Sequence, residues 1–134
     1  LGIIGASDPQ DVLGPALDSA AEGAGFTIVA AHVPTAIYPA AAIGAGLVLA
    51  GHTHGGQIRP SARRVLKTSC DLSPGLATGL LRLDRTLCAI TRGCGETVLD
   101  LRVNCPPQVA VLTLRRGPLP GDDANAGLQR VAAW

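Results

Sequence analysis

Two of the chain's three histidines stand one residue apart, in the stretch LVLAGHTHGGQIRP that runs from Leu47 to Pro60. Imidazole is the commonest protein metal ligand near neutral pH. In an extended segment, residues two apart project to the same side, so His52 and His54 would lie roughly 6.5 Å apart at the Cα level. Gly51, Gly55 and Gly56 flank them, allowing unusual backbone angles and leaving room for a bulky polar group to approach. The third histidine, His32, closes the apolar run FTIVAAH. Singly, a histidine at a strand end is commonly a hydrogen-bonded core residue, and a histidine pair among glycines also fits a solvated turn. All three within 23 residues, each at the end of an apolar run, point instead to a metal site. Other chemistries find less support, because the chain has neither a Gly-rich phosphate loop nor the nucleophile elbow of a Ser-His-Asp enzyme.

Such a site needs elements that bring the histidines together. LGIIGA reads as a short buried strand, and the following stretch from Ser7 to Gly25 reads as a helix capped by Asp8 before Pro9. FTIVAAH is a second strand. VPTAIYPAAAIGAG, 14 residues of helical character broken by Pro39, is long enough for a parallel crossover to a third strand, LVLAG. His32 and His52 then fall at the carboxyl ends of adjacent parallel strands, where open α/β sheets place their ligand sites. Beyond Pro60, ATGLLRLD, TLCAITRG and PQVAVLTLR read as strands joined by turns, so the second half is strand-rich and partly antiparallel. Residues 117–134 have the composition of a flexible tail.

Composition narrows the function. The 134 residues are 47% hydrophobic and 16% charged, which fits one globular unit with a single core. A net charge of +1 and an aromatic fraction of 2% argue against specific nucleic-acid binding. The charge is uneven. Residues 1–58 carry four acidic side chains and no Lys or Arg, whereas residues 59–134 carry all 11 basic ones and six acidic ones, so the halves stand at −4 and +5. From Gly23 to Ile58 there is no charged residue, yet Pro34, Pro39, Gly44 and Gly46 interrupt the run; it reads as strands buried on both faces rather than as a membrane span. Cys70, Cys88, Cys94 and Cys105 lack metal-ligand spacing and read as reduced packing residues. The chain opens directly on a core strand without a Met, as a fragment would.

With the histidines, three ordered matches carry a resemblance. His32-Val-Pro, then LVLAGHTHGGQIRP, then ITRGCG and LRVNCPPQVAVLTL, resemble the C-terminal half of the calcineurin-like metallophosphoesterases. The nearest likeness is to a bacterial branch marked by Gly-His-Thr-His-Gly-Gly-Gln-Ile, a Ser-Arg-Gly-Leu-Gly turn and a closing Cys-Pro-Pro-Glu strand. It runs in order from about Leu1 to Leu114. The resemblance implies an α/β fold, part of a four-layer αββα sandwich, with residues 1–116 forming the C-terminal part of the domain. It also implies two divalent metal ions (Mn, Fe or Zn) and hydrolysis of phosphate mono- or diesters. His32 and His52 would bind the second metal and His54 the first; Gln57 and Arg59 would lie near the substrate phosphate. Two ions about 3.5–4 Å apart can activate water at neutral pH and clamp the attacking and leaving oxygens.

The departures are equally informative. The family's Asp-x-His, Gly-Asp-x-x-Asp and Gly-Asn-His motifs, which supply the bridging carboxylate, the other ligands and the acid catalyst, are absent. GDDAN at Gly121 imitates only part of one of them. Gly46, Cys94 and Gln108 stand where Asp, Leu and Glu are usual. The expectation is therefore a fragment of a hydrolase, inactive alone, whose partners are a phosphate ester and the N-terminal half of the same domain. The alternative is a non-catalytic interaction scaffold of the same fold. Related bacterial proteins are often membrane-associated or exported, which leaves the location open between cytoplasm and membrane, and any membrane association would come through a segment outside this chain.

Overall fold

The computed structural model describes residues 1–7, 23–117 and 127–134. The helix expected after Ser7 and the GDDAN stretch fall almost wholly outside them. The described residues form a mixed six-stranded sheet with little helix, an α/β arrangement. Its strands are β1 (Gly2–Ala6), β2 (Thr27–Ala31), β3 (Leu47–Ala50), β4 (Gly79–Leu83), β5 (Thr86–Ile90) and β6 (Gln129–Ala132). Their spatial order is β1-β2-β3-β5-β4-β6. β1, β2, β3 and β5 run parallel, and β4 pairs antiparallel with both β5 and β6.

One register row shows what holds the sheet. Ile4, Val29, Val48, Cys88 and Leu81 lie side by side across five strands, and all are buried. Over this face packs the short helix α1 (Ile37–Ala42), which contributes Ile37 and Ala40 to the core. Pro39 does not break it. At the third helical position its missing N–H would have had no intrahelical partner anyway. All four cysteines are free, and burial pushes the Cys88 thiol up to about 12, so it serves as a packing group.

The expectation of strands buried on both faces holds for one face only. On the other, Ile3 is 71% exposed, and Gly5, Ala30 and Leu49 are also open to solvent. PQVAVLTLR forms no strand either: Val109, Val111 and Leu114 are exposed and no ladder partner lies beside them among the described residues. A strand needs a neighbour for its backbone groups, and local propensity cannot provide one. Conversely, residues 129–132, within the stretch read as tail, pair with β4, and the Trp134 indole N–H donates to the Ile90 carbonyl at 3.2 Å. No helix among the described residues is long and apolar enough to cross a membrane.

Gly79 makes the β4–β6 seam possible. Its φ is +114°, and a Cβ there would stand 2.4 Å from the Ala132 carbonyl oxygen. Gly79→Ala is expected to cost about 2–3 kcal/mol and to release β6. Urea unfolding followed by fluorescence of Trp134, the chain's one tryptophan, would show this as an early blue-to-red shift; an unchanged midpoint would count against it.

Candidate functional site

Parallel pairing of β2 with β3 brings His32 and His52 together at the carboxyl edge of the sheet. The Gly51 N–H donates to the His32 carbonyl at 3.2 Å, continuing the contact one step past the strands. His52 Nδ1 lies 2.9 Å from His32 Nε2, with ring planes at 66°. On its other side His52 Nε2 meets the Ser69 carbonyl at 3.1 Å. A carbonyl can only accept, so Nε2 carries the hydrogen and Nδ1 presents its lone pair. His54 is set in the opposite sense. Its Nδ1 donates to the Gly95 carbonyl at 3.0 Å, leaving Nε2 with the lone pair.

The loop holding these rings is strained. His52, His54 and Gln57 have φ of +66°, +48° and +39°, in the left-handed region that L side chains rarely adopt. Gly55 and Gly56 share that region. Such strain costs about 1–3 kcal/mol per residue and persists only where the surroundings impose it. Here Thr53 Oγ1 donates to the Ala77 carbonyl at 2.6 Å and accepts from the Gly55 N–H. From below, Arg59 Nε donates to the Gly55 carbonyl at 2.6 Å, while an Arg102 guanidinium N–H and the Cys105 thiol both donate to the His54 carbonyl at 3.3 Å.

The same packing corrects the expected role of two glycines. A Cβ on Gly55 would stand 2.5 Å from the Arg92 side chain and 2.6 Å from Arg59, and one on Gly56 would stand 2.5 Å from Val65. Protein, and not an approaching ligand, takes up that space. Gly51 alone has open room, its nearest neighbour being 3.9 Å away.

Gln57 and Arg59, expected beside a substrate phosphate, are both buried. The Gln57 amide donates to the carbonyls of Thr97, Leu99 and Leu101 at 3.1, 2.8 and 3.1 Å and accepts from the Thr97 N–H at 2.9 Å. Its hydrogen-bonding capacity is fully used on the 97–101 loop. Arg59 lies under the histidine loop, with a further bond to the Ala62 carbonyl; desolvation lowers its pKa, partly offset by the nearby Cys105. The residues that do line the cleft, a space of about 250 Å³, include His52, His54, Lys67, Ser69, Val98 and Leu99.

Over 90 residues, 67% of its length, the chain is 32% identical to YkuE of Bacillus subtilis (strain 168), an uncharacterized metallophosphoesterase. The chain is similar to a metallophosphoesterase. It spans 31% of that relative's length. No family model matches the chain, and no solved structure matches it.

Metallophosphoesterases use divalent metals, and the donors here fit such ions in part. His52 and His54 each give one ring N–H to a backbone carbonyl, the arrangement that orients metal-bound imidazoles, and of the two only His54 keeps its other nitrogen bare. His32 Nε2 and His52 Nδ1, now sharing a proton, form a two-nitrogen set. Yet among the described residues no group of three His, Cys, Asp or Glu converges. The three histidines were expected in one site; contact joins His32 to His52, and His54 shares the cleft with His52 alone of the other two. Reading the sequence also overlooked Arg102 and Lys67. Arg102 stands in LRVNCPP, quoted for its likeness only, and nothing local marks a residue that acts 48 positions away.

Proposed function

We propose that this chain is the C-terminal part of a dinuclear metal-dependent phosphoesterase, part of a four-layer sandwich, that hydrolyses phosphate mono- or diesters. The observation that carries this reading is the tautomer lock: His52 and His54, on one strand-end loop, each give one ring N–H to a carbonyl, which leaves His54 Nε2 bare and turns the His52 Nδ1 lone pair toward His32 Nε2, a pair that a cation would join by replacing the proton they share. His32 and His52 would serve one ion and His54 the other, with the bridging carboxylate supplied by the part of the protein outside this chain. Bound there, divalent ions supply Lewis acidity toward water and the phosphate oxygens. The chain's own residues do the rest. Gln57 and Arg59 act on the ester indirectly by fixing the loop, and Lys67, on the cleft wall, faces the ester's negative charge.

The test is an assay on the protein expressed from its full coding sequence, with p-nitrophenyl phosphate and its bis-ester as substrates. Turnover should require a divalent ion, vanish with a chelator and return with Mn²⁺. Two bound ions without turnover of either ester would favour the interaction scaffold; no bound ion would sink the metal centre itself.

A further inference from the structure

Part of the lining of the cleft that holds Lys67 and Ser69 is aliphatic and open. Val98 is 98% exposed, Leu99 54% and Ile58 46%, and all three line the same space as His52 and His54. Exposed apolar side chains scattered singly need no explanation, but a group at the mouth of a polar cleft does. Among the described residues, no Phe, Tyr or Trp lines this cleft.

The backbone shows that this wall is built. The Leu99 N–H donates back to the Thr97 carbonyl at 2.8 Å, closing a three-residue turn around Val98, whose φ is +67°. That is the left-handed form of the γ-turn, which is rare and strained, and a β-branched residue is the least suited to it. The next turn closes likewise, from the Leu101 N–H to the Leu99 carbonyl at 2.8 Å. Gln57 imposes both turns, because its buried amide gathers the carbonyls of Thr97, Leu99 and Leu101 inward. The residue that holds this wall belongs to the same loop as His54. Strain that neighbouring residues maintain beside a functional cleft is a pointer to use.

We infer that Val98, Leu99 and Ile58 form a subsite for an aliphatic chain, so that the substrate is a phosphate ester carrying an alkyl or acyl group of several carbons. The inference rests on the phosphoesterase reading. The phosphate would sit toward His52, His54 and Lys67, and the chain would lie along Val98, Leu99 and Ile58, where it removes apolar surface from water. Burying two methylenes is worth roughly tenfold in specificity.

The experiment compares p-nitrophenyl octyl phosphate with p-nitrophenyl methyl phosphate, which share a leaving group and differ only in the alkyl chain. On the full-length protein with Mn²⁺, kcat/KM should favour the octyl ester by at least about tenfold. Val98→Asn should bring that ratio down toward one, because asparagine tolerates a left-handed backbone and removes the apolar contact. A merely structural role for Val98 would instead move the thermal melt and leave the ratio alone. Equal turnover of the two esters by the unaltered protein overturns the subsite, as does a preference that survives in both Val98→Asn and Leu99→Ser. Hydrolysis of neither ester by a protein that turns over p-nitrophenyl phosphate overturns the subsite alone, and turnover of none of the three overturns the phosphoesterase reading with it.

Discussion

His52→Ala, made in the protein that carries the remaining ligands, is expected to lower phosphate-ester turnover by roughly 10²–10³-fold. His52 stands at the centre of the cluster. It touches His32 through one nitrogen, is oriented by Ser69 through the other, and lines the cleft together with His54. Removing it deletes one donor and leaves His32 without the neighbour that faces it. Metal content should fall by about one ion per chain, measured by elemental analysis after dialysis against metal-free buffer. His52→Gln, which retains a polar side chain without an imidazole lone pair, should not restore the rate. Near-full activity with both ions retained in His52→Ala would falsify the ligand assignment.

Arg102→Ala is expected to destabilise the fold by about 3–5 kcal/mol and to weaken metal binding together with it. The guanidinium is buried and donates to four backbone carbonyls: His54 at 3.3 Å, Cys105 at 3.3 Å, Arg92 at 3.0 Å and Gly95 at 2.5 Å. Glu96 lies 3.4 Å from its Nε. Truncation would strip the Arg92 and Cys105 carbonyls of this donor, leave those of His54 and Gly95 with their remaining ones, and take away the partner of Glu96. Two of the four carbonyls bear directly on His54, since Gly95 also accepts its Nδ1–H and the other carbonyl is His54's own. Lysine should rescue little, because one ammonium cannot reproduce a planar fork reaching several carbonyls. Urea unfolding would give the stability change, and titration with Mn²⁺ the affinity. A variant with the unaltered midpoint and unaltered affinity would remove Arg102 from the site's support.

Which features the sequence could reveal depends on the range of the interactions behind them. β1, β2 and β3 are continuous apolar runs ended by polar or glycine positions, so their extent is set within a few residues of themselves. The 14-residue connection from Val33 makes a parallel neighbour of the third strand, and with that His32 and His52 fall side by side. PQVAVLTLR has equally good strand composition but lies outside every ladder among the described residues, bonded through Gln108 to Thr91, Arg92, Gly93 and Cys94. Residues 129–132 have poor strand composition and still pair with β4.

By itself, then, the sequence determined the histidine spacing, the strands that carry His32 and His52, and the likeness to metallophosphoesterases, because each is written in short contiguous stretches. Only the tertiary structure decided which ring nitrogen of His52 and of His54 carries the hydrogen, since the carbonyls responsible, of Ser69 and Gly95, lie 17 and 41 residues away. It likewise moved Gln57 and Arg59 from contact with a ligand to support of the loop. An amide or guanidinium bonds to whatever carbonyls the fold brings within about 3 Å, and those carbonyls belong to segments the side chain's own neighbours do not describe.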